Sequence, residues 1–175
     1  HGHPDKLNLI LFADGYELAG EPAVYRYEDE RHGNWTRPTI AHWTLSIDEH
    51  AQNPTTGRLV CFADIGEVKV MRGQATGAYA GVALDRTVVQ LPGYIVDINR
   101  AWGPAEHAVD YPLCFRGALN ALQEVDESRR TPMAEVTPGY RHILATGPQA
   151  VEGSWSAVWE REAHTPASGG KRPAN

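Results

Sequence analysis

The densest group of chemically capable residues lies at the start of the chain, where residues 1–7 read HGHPDKL. Residues two apart share a face of an extended chain, so His1, His3 and Asp5 would point into one small volume. Imidazoles and a carboxylate suit zinc or a similar divalent ion, and imidazole is also an acid or base near neutral pH. A disordered end or a tag remnant would read the same, but the apolar run at 7–12 favours a folded strand.

A second histidine lies in the alternating segment 39–48. The alternation predicts a strand with Trp43 on its apolar face and His42 on the opposite, polar face. A histidine on such a face is either a ligand or an ordinary surface residue, and the spacing leaves both interpretations open. Asp14 and Glu21 follow the first apolar run, and each is either an oxygen ligand or a solvated carboxylate.

The elements that must position these side chains are predicted to be short strands. β-Branched and aromatic runs alternate with turn residues, and Pro92-Gly93 joins two such runs tightly enough to predict a hairpin. Many strands with close turns predict an all-β fold, an antiparallel β-sandwich with little helix, in which residues 118–130 are the one helical candidate. The predicted strands are 7–13, 39–48, 58–64, 67–71, 84–91, 94–99, 107–115, 140–145 and 154–159.

Length and charge narrow the class of protein. The 175 residues suffice for one domain with its own core, and the net charge of −6 argues against a nucleic-acid binder. No stretch approaches the roughly 20 apolar residues of a membrane span. Cys61 and Cys114 lie in apolar runs, which favours two buried free thiols and leaves a disulfide open. Residues 163–175 are rich in Pro, Gly and Ser and predict a disordered tail.

Several segments together resemble the heparinase II/III family of polysaccharide lyases. Residues 1–7 look like that family's HGHxDKL signature, and residues 37–42 (RPTIAH) are similar to its R-S-T-x-A-H segment. Between them, Glu21 stands before a proline where the family has an acidic residue. Residues 93–100 and 106–111 resemble the family's later sheet strands.

The resemblance implies a C-terminal antiparallel sheet domain, here residues 1–162, that follows a helical toroid. Because residue 1 already lies in the signature, we expect the toroid to be missing from this chain. The implied reaction is β-elimination at a uronic acid: the carboxylate is neutralised, the C5 proton is removed and the 4-O-glycosidic bond breaks. The implied partner is an acidic polysaccharide, heparan-like or alginate-like, and the implied compartment is the periplasm or the exterior.

Site residues follow from the same resemblance. His1 resembles the active-site histidine that reaches the cleft from the sheet domain. His3 and His42 resemble ligands of a structural divalent metal, usually zinc, with Glu21 at the position of the acidic ligand. Two arginines, Arg37 and Arg26, are candidates for contact with an acidic sugar, because guanidinium pairs well with carboxylate or sulfate.

The sequence departs from the family at two site positions and lacks one part of the catalytic centre. Glu21 stands where the family usually has Asp, and Trp43 stands where it usually has Asn. The family's tyrosine acid/base comes from the toroid, so this chain alone is expected to lack a complete active site. Two rivals stay open. One is a non-catalytic carbohydrate-binding β-sandwich with a row of exposed tryptophans, and the other is a cupin-like barrel with histidine ligands inside it.

Overall fold

The computed structural model describes residues 2–22, 25–120, 131–132, 138–145 and 156–160. Its largest element is a four-stranded antiparallel sheet with the strands in chain order. Each connection is a tight turn with a glycine at positive φ: Gly66 at 62°, Gly81 at 77° and Gly93 at 82°. The four strands are β4 (Arg58–Ile65), β5 (Val68–Tyr79), β6 (Val82–Leu91) and β7 (Tyr94–Trp102).

The remaining strands are short and pair two by two, all antiparallel. They are β1 (Leu11–Ala13) with β2 (Tyr16–Ala19), β3 (Ser46–Ile47) with β8 (Val109–Asp110), β9 (Ala118–Asn120) with β12 (Val158–Glu160), and β10 (Thr131–Pro132) with β11 (Leu144–Ala145). Helix in the described ranges is limited to short turns: a π-helical turn at His32–Thr36 and 3₁₀ turns at Thr39–Ala41 and Tyr140–His142. The fold is therefore the all-β, antiparallel β-sandwich that the sequence predicts.

The core lies between one face of the four-stranded sheet and the segment around β3. Val82 and Leu84 of β6 pack against Leu45 and Ile47, and each of these side chains is at most 7% exposed. Leu7 also packs on this cluster, so the chain start that carries the histidine motif is attached to the core. The sheet thereby forms a rigid support for both histidine-bearing segments.

The prediction of a strand over residues 39–48 is wrong for most of that range. Residues 39–41 form a 3₁₀ turn, and only Ser46–Ile47 pairs as a strand. His42 was expected on a polar face but is 0% exposed, whereas Trp43 is buried as expected. The physical reason is that the whole run 38–47 is buried, so its polar side chains face protein rather than water.

The hairpin predicted at Pro92-Gly93 is confirmed by the pairing of Leu91 with Tyr94. The helical candidate 118–130 begins as strand β9, and residues 121–130 lie outside the described part of the chain. Both cysteines are free; Cys114 is partly buried, but Cys61 is exposed on the edge strand β4, contrary to the buried position expected for it.

His1 and the proposed tail 163–175 lie outside the described residues, so the boundary at residue 162 stays a prediction. Among the helices in the described ranges, none is long and apolar enough to cross a membrane. The described strands form open sheets rather than a closed barrel, which argues against the cupin-like interpretation.

Candidate metal centre

The first histidine of the centre, His3, precedes a tight backbone turn. Asn8 N–H donates to the carbonyl of Asp5 (2.9 Å), and Leu7 within this turn has a left-handed φ of 66°. The Lys6 ammonium donates to the carbonyl of His3 (3.2 Å). The turn lies at the end of the motif, and the Thr39 hydroxyl donates to the carbonyl of Pro4 (2.6 Å), so His3 lies beside the segment that carries the second histidine.

The second histidine, His42, ends the 3₁₀ turn Thr39–Ala41 and is fully buried. Its Nδ1 lies 2.9 Å from the carbonyl oxygen of Pro38, which fixes the proton on Nδ1 as the donor of this hydrogen bond. In the neutral ring the lone pair of His42 is then on Nε2. A ring nitrogen held in this way by a backbone carbonyl is the usual arrangement of a metal-ligating histidine.

Glu21, in the segment after β2, is the third side chain of the candidate centre. Its Oε2 lies 3.1 Å from His42 Nε2, and its Oε1 accepts a hydrogen bond from the side-chain amide of Asn8. On the other side, His3 Nδ1 lies 3.3 Å from the same Nε2. Two ring nitrogens and a carboxylate oxygen thus lie close together, an arrangement that a shared proton or a bound cation makes favourable.

The donor set fits a divalent metal. His3, Asp5, Glu21 and His42 each offer one ligand atom, and these atoms lie within 4.8 Å of one another. Two imidazoles and one or two carboxylates are a common zinc set. Burial, and after it the nearby His42, lower the pKa of His3, which favours the neutral ring that a metal requires.

Two clefts adjoin the cluster. The larger, about 470 Å³, is lined by His3, Lys6, Arg37 and Gln52, among others. The Arg37 side chain in this lining is exposed, and it makes no hydrogen bond or ion pair with any residue that the structure describes. The smaller cleft, about 310 Å³, is lined by His3, Glu21, Tyr25, Tyr27, His32 and Thr36.

The structure thus brings His3, Glu21 and His42 together and leaves the other expected site residues less defined. His1 lies outside the described residues. Arg37 lines the larger cleft, whereas Arg26 is exposed and is not part of the described lining of either cleft. Of the four tryptophans in the described ranges, Trp102 alone is exposed, at 49%, so those ranges show no tryptophan row of the kind expected for a sugar-binding module.

Sequence reasoning missed two polar residues of the centre. Asn8 contacts both Glu21 and the backbone beside His42, yet in the sequence it is one polar residue in an apolar run. His32 lies with its ring centroid 6.0 Å from that of His3, although its neighbours in sequence are typical of an exposed loop. No spacing rule links either residue to the histidine motif, because both contacts are made by tertiary folding.

Comparison with known proteins defines the class of protein. The sequence matches the family described as Heparinase II/III-like, C-terminal, over residues 1–148, and the chain belongs to this family. It is 26% identical over 186 residues to an exo-oligoalginate lyase of Saccharophagus degradans, covering 91% of this chain and 25% of the relative. It is 25% identical over 169 residues to an alginate lyase of Stenotrophomonas maltophilia, covering 82% of this chain and 23% of the relative. The chain therefore spans about a quarter of the length of the curated relatives it matches.

Proposed function

We propose that this chain is the sheet domain of a polysaccharide lyase that cleaves uronate-containing glycans by β-elimination. The observation that carries the proposal is the convergence of His3, Glu21 and His42, because His3 also lines a cleft that presents Arg37. Family membership and two relatives named as alginate lyases support an alginate-like polymer as the first substrate to test. A heparan-like polymer is the second.

The metal centre serves structure in this proposal. His3, Glu21 and His42 would hold zinc or another divalent cation, with Asp5 close enough to contribute a fourth ligand atom, a carboxylate oxygen. Bound there, the ion would add fixed positive charge and cross-link the chain start to the segment before β3. The features that favour a metal over a chance cluster are a ligand histidine, His42, whose ring is held by a backbone carbonyl, and a hydrogen-bonded glutamate, Glu21.

The substrate would lie in the larger cleft. A uronate carboxylate has the charge and shape to pair with the Arg37 guanidinium, and the Lys6 ammonium lines the same cleft. Pairing matters chemically because the carboxylate must accept the negative charge that develops when the C5 proton leaves. Arg26 is a second candidate contact, at a position that an extended polymer could reach outside the cleft.

Proton transfer in this proposal involves His1 and groups outside the chain. His1 precedes the metal-binding segment by two residues and would reach the sugar from the sheet side. The acid that protonates the leaving 4-oxygen would come from a helical domain upstream, a partner supported by the relatives being about four times the length matched here. A periplasmic or extracellular location, where such polymers occur, is part of the same proposal.

The test is to incubate the full-length parent and the isolated chain with alginate and with heparan sulfate. Formation of the unsaturated product is followed by its ultraviolet absorbance. We expect cleavage by the parent, loss of cleavage on His1→Ala, and almost none by the isolated chain, because misplaced acid–base groups lower rates by orders of magnitude. A parent that cleaves neither polymer but binds them would favour the carbohydrate-binding alternative.

A further inference from the structure

The Asn8 side chain is hydrogen-bonded beside two of the proposed metal ligands. Its amide nitrogen donates to Glu21 Oε1, and its amide oxygen accepts from the backbone N–H of Trp43 (3.0 Å). Trp43 directly follows His42. One amide group therefore connects the glutamate to the backbone of the buried histidine.

The geometry of Asn8 depends on the strained residue before it. Leu7 has φ of 66°, a conformation that residues other than glycine rarely adopt. The guanidinium of Arg86 on β6 donates from Nη1 to the carbonyl of Leu7 (2.7 Å) and to that of Trp43 (2.5 Å). Arg86 is 4% exposed, so these bonds are shielded from water.

Arg86 binds the backbone at the residue before Asn8 and at Trp43, which Asn8 also contacts. Leu7 directly precedes Asn8, and Trp43 is the residue whose N–H Asn8 accepts. Arg86 thus fixes the two histidine-bearing segments relative to each other, and Asn8 fixes the position of the Glu21 carboxylate relative to both. Backbone strain held by such a network is a recurrent feature of functional sites.

We propose that Asn8, held by Arg86, is the positioning residue of the metal centre. By occupying Oε1, the Asn8 amide leaves Oε2 of Glu21 facing His42 Nε2, so the glutamate would bind a metal through that oxygen. The inference rests on the metal centre proposed above and adds what sets its geometry. It also accommodates the longer side chain of Glu21, since the amide fixes where that flexible carboxylate ends.

The test compares Asn8→Ala with the wild type and with Gln74→Ala. Gln74 on β5 is a matched control because its amide also donates to a carboxylate, Asp85 (2.9 Å), and accepts from an N–H donor, Arg58 (2.6 Å). Zn²⁺ affinity is measured by competition with a chromophoric chelator, and Co²⁺ absorption reports ligand geometry. Removing a partner that orients a metal ligand typically weakens metal affinity by about 10–100-fold.

We expect that loss for Asn8→Ala together with an altered Co²⁺ spectrum, and neither change for Gln74→Ala. If Asn8→Ala does not fold, Asn8→Asp is used, because it keeps an acceptor for Trp43 N–H and replaces the donor to Glu21 with a carboxylate oxygen that repels it; its Co²⁺ spectrum should also change. Wild-type affinity and spectrum in the Asn8 variant would overturn the positioning role and leave the metal centre standing. Absence of Zn²⁺ binding by the wild type would instead overturn the metal centre, and this inference with it.

Discussion

The Nε2 atom of His42 lies 3.1 Å from Oε2 of Glu21, and the two side chains differ greatly in exposure. The imidazole is 0% exposed and the carboxylate side chain 36%. Because Pro38 O holds a ring proton on Nδ1, Nε2 is the atom of His42 that faces the carboxylate, and a proton or a cation between the two makes the contact favourable. A bound metal would bridge the two side chains, so we expect metal to raise the stability of the fold.

The first prediction concerns that dependence. A metal that binds only the folded form stabilises it by about 2.7 kcal/mol at 100 times the dissociation constant. Thermal unfolding of the wild type should therefore shift upward with Zn²⁺ and downward with chelator. His3→Ala should abolish most of the shift, since it removes one ligand from a partly exposed position.

The matched control for this experiment is His50→Ala, which removes an exposed histidine outside the cluster. It should keep the full zinc-dependent shift. Equal shifts in His3→Ala and His50→Ala would show that zinc binds elsewhere or without specificity.

The second prediction concerns Arg37 and acidic sugars. A hydrogen bond to a charged group contributes about 1.5–3 kcal/mol, so Arg37→Ala should weaken oligouronide binding by about 10–150-fold. Arg58→Ala removes an exposed arginine of the edge strand β4 and should leave affinity unchanged. Calorimetry at low and at high salt is the measurement, because screening should reduce the difference between wild type and Arg37→Ala. Equal affinity of the Arg37 variant and the wild type at low salt would remove this contact.

The four-stranded sheet could be predicted from sequence because its signals are local. β4, β5, β6 and β7 each consist of a β-rich run bounded by a glycine turn, and the turn after β6 has the Pro-Gly pair expected of a hairpin. Pairing partners are also neighbours in sequence, so the topology follows from the turns.

The segment 39–48 could not be predicted in the same way because its contacts are distant. The hydroxyl of Thr39 donates to the carbonyl of Pro4 (2.6 Å), and that of Thr44 donates to the carbonyl of Lys6 (2.7 Å). In the sequence, these buried polar residues follow the same alternation as the polar face of a half-exposed strand. Alternation alone does not distinguish a polar side chain that faces water from one that bonds to a remote backbone.

The candidate site shows the same division. His3, Glu21 and His42 could be named because family motifs mark them. Arg86 could not, because it lies 79 residues from Leu7, whose carbonyl it binds, and its sequence neighbours indicate only a strand. Which side chains support a motif is decided by tertiary packing.

The third prediction concerns acid stability and Asp85 on β6, whose side chain is 0% exposed. Burial raises its pKa, but hydrogen bonds from Gln74 and Arg72 and the charges of Arg72 and Arg100 outweigh it, so the pKa is lowered below the ordinary value of 3.8. A folded-state pKa below the unfolded value stabilises the fold fully above about pH 4. That contribution is lost as pH falls through the folded pKa.

Urea unfolding of the wild type and Asp85→Asn between pH 7 and pH 3 measures this effect. The difference in unfolding free energy should be largest at neutral pH and should shrink below pH 4, as the wild-type carboxylate becomes protonated. Asp64→Asn, at an exposed ion pair with Lys69, is the control and should have little effect at any pH. A difference that does not change with pH would show that Asp85 acts through packing rather than charge.

The last prediction concerns Arg86 and Asp97, which form a two-bond ion pair at 2.8 and 2.7 Å between β6 and β7. Arg86→Ala should destabilise the protein by about 3–5 kcal/mol, because Asp97 is then left largely buried without its partner. The double variant Arg86→Ala/Asp97→Ala should be more stable than Arg86→Ala alone, since it removes the unpaired charge.

Arg86→Lys separates charge from geometry. Lysine keeps the charge but cannot bind Asp97 and the carbonyls of Leu7 and Trp43 with one planar group, so it should restore only part of the stability. Urea unfolding of the wild type, Arg86→Ala, Asp97→Ala and the double variant gives the coupling energy of the pair. Zn²⁺ titration of the folded variants shows whether the geometry of the metal centre is lost with it. Full stability and full zinc affinity in Arg86→Lys would mean that a positive charge at this position is sufficient. Loss of zinc affinity at retained stability would instead locate the role of Arg86 in holding the two histidine-bearing segments together.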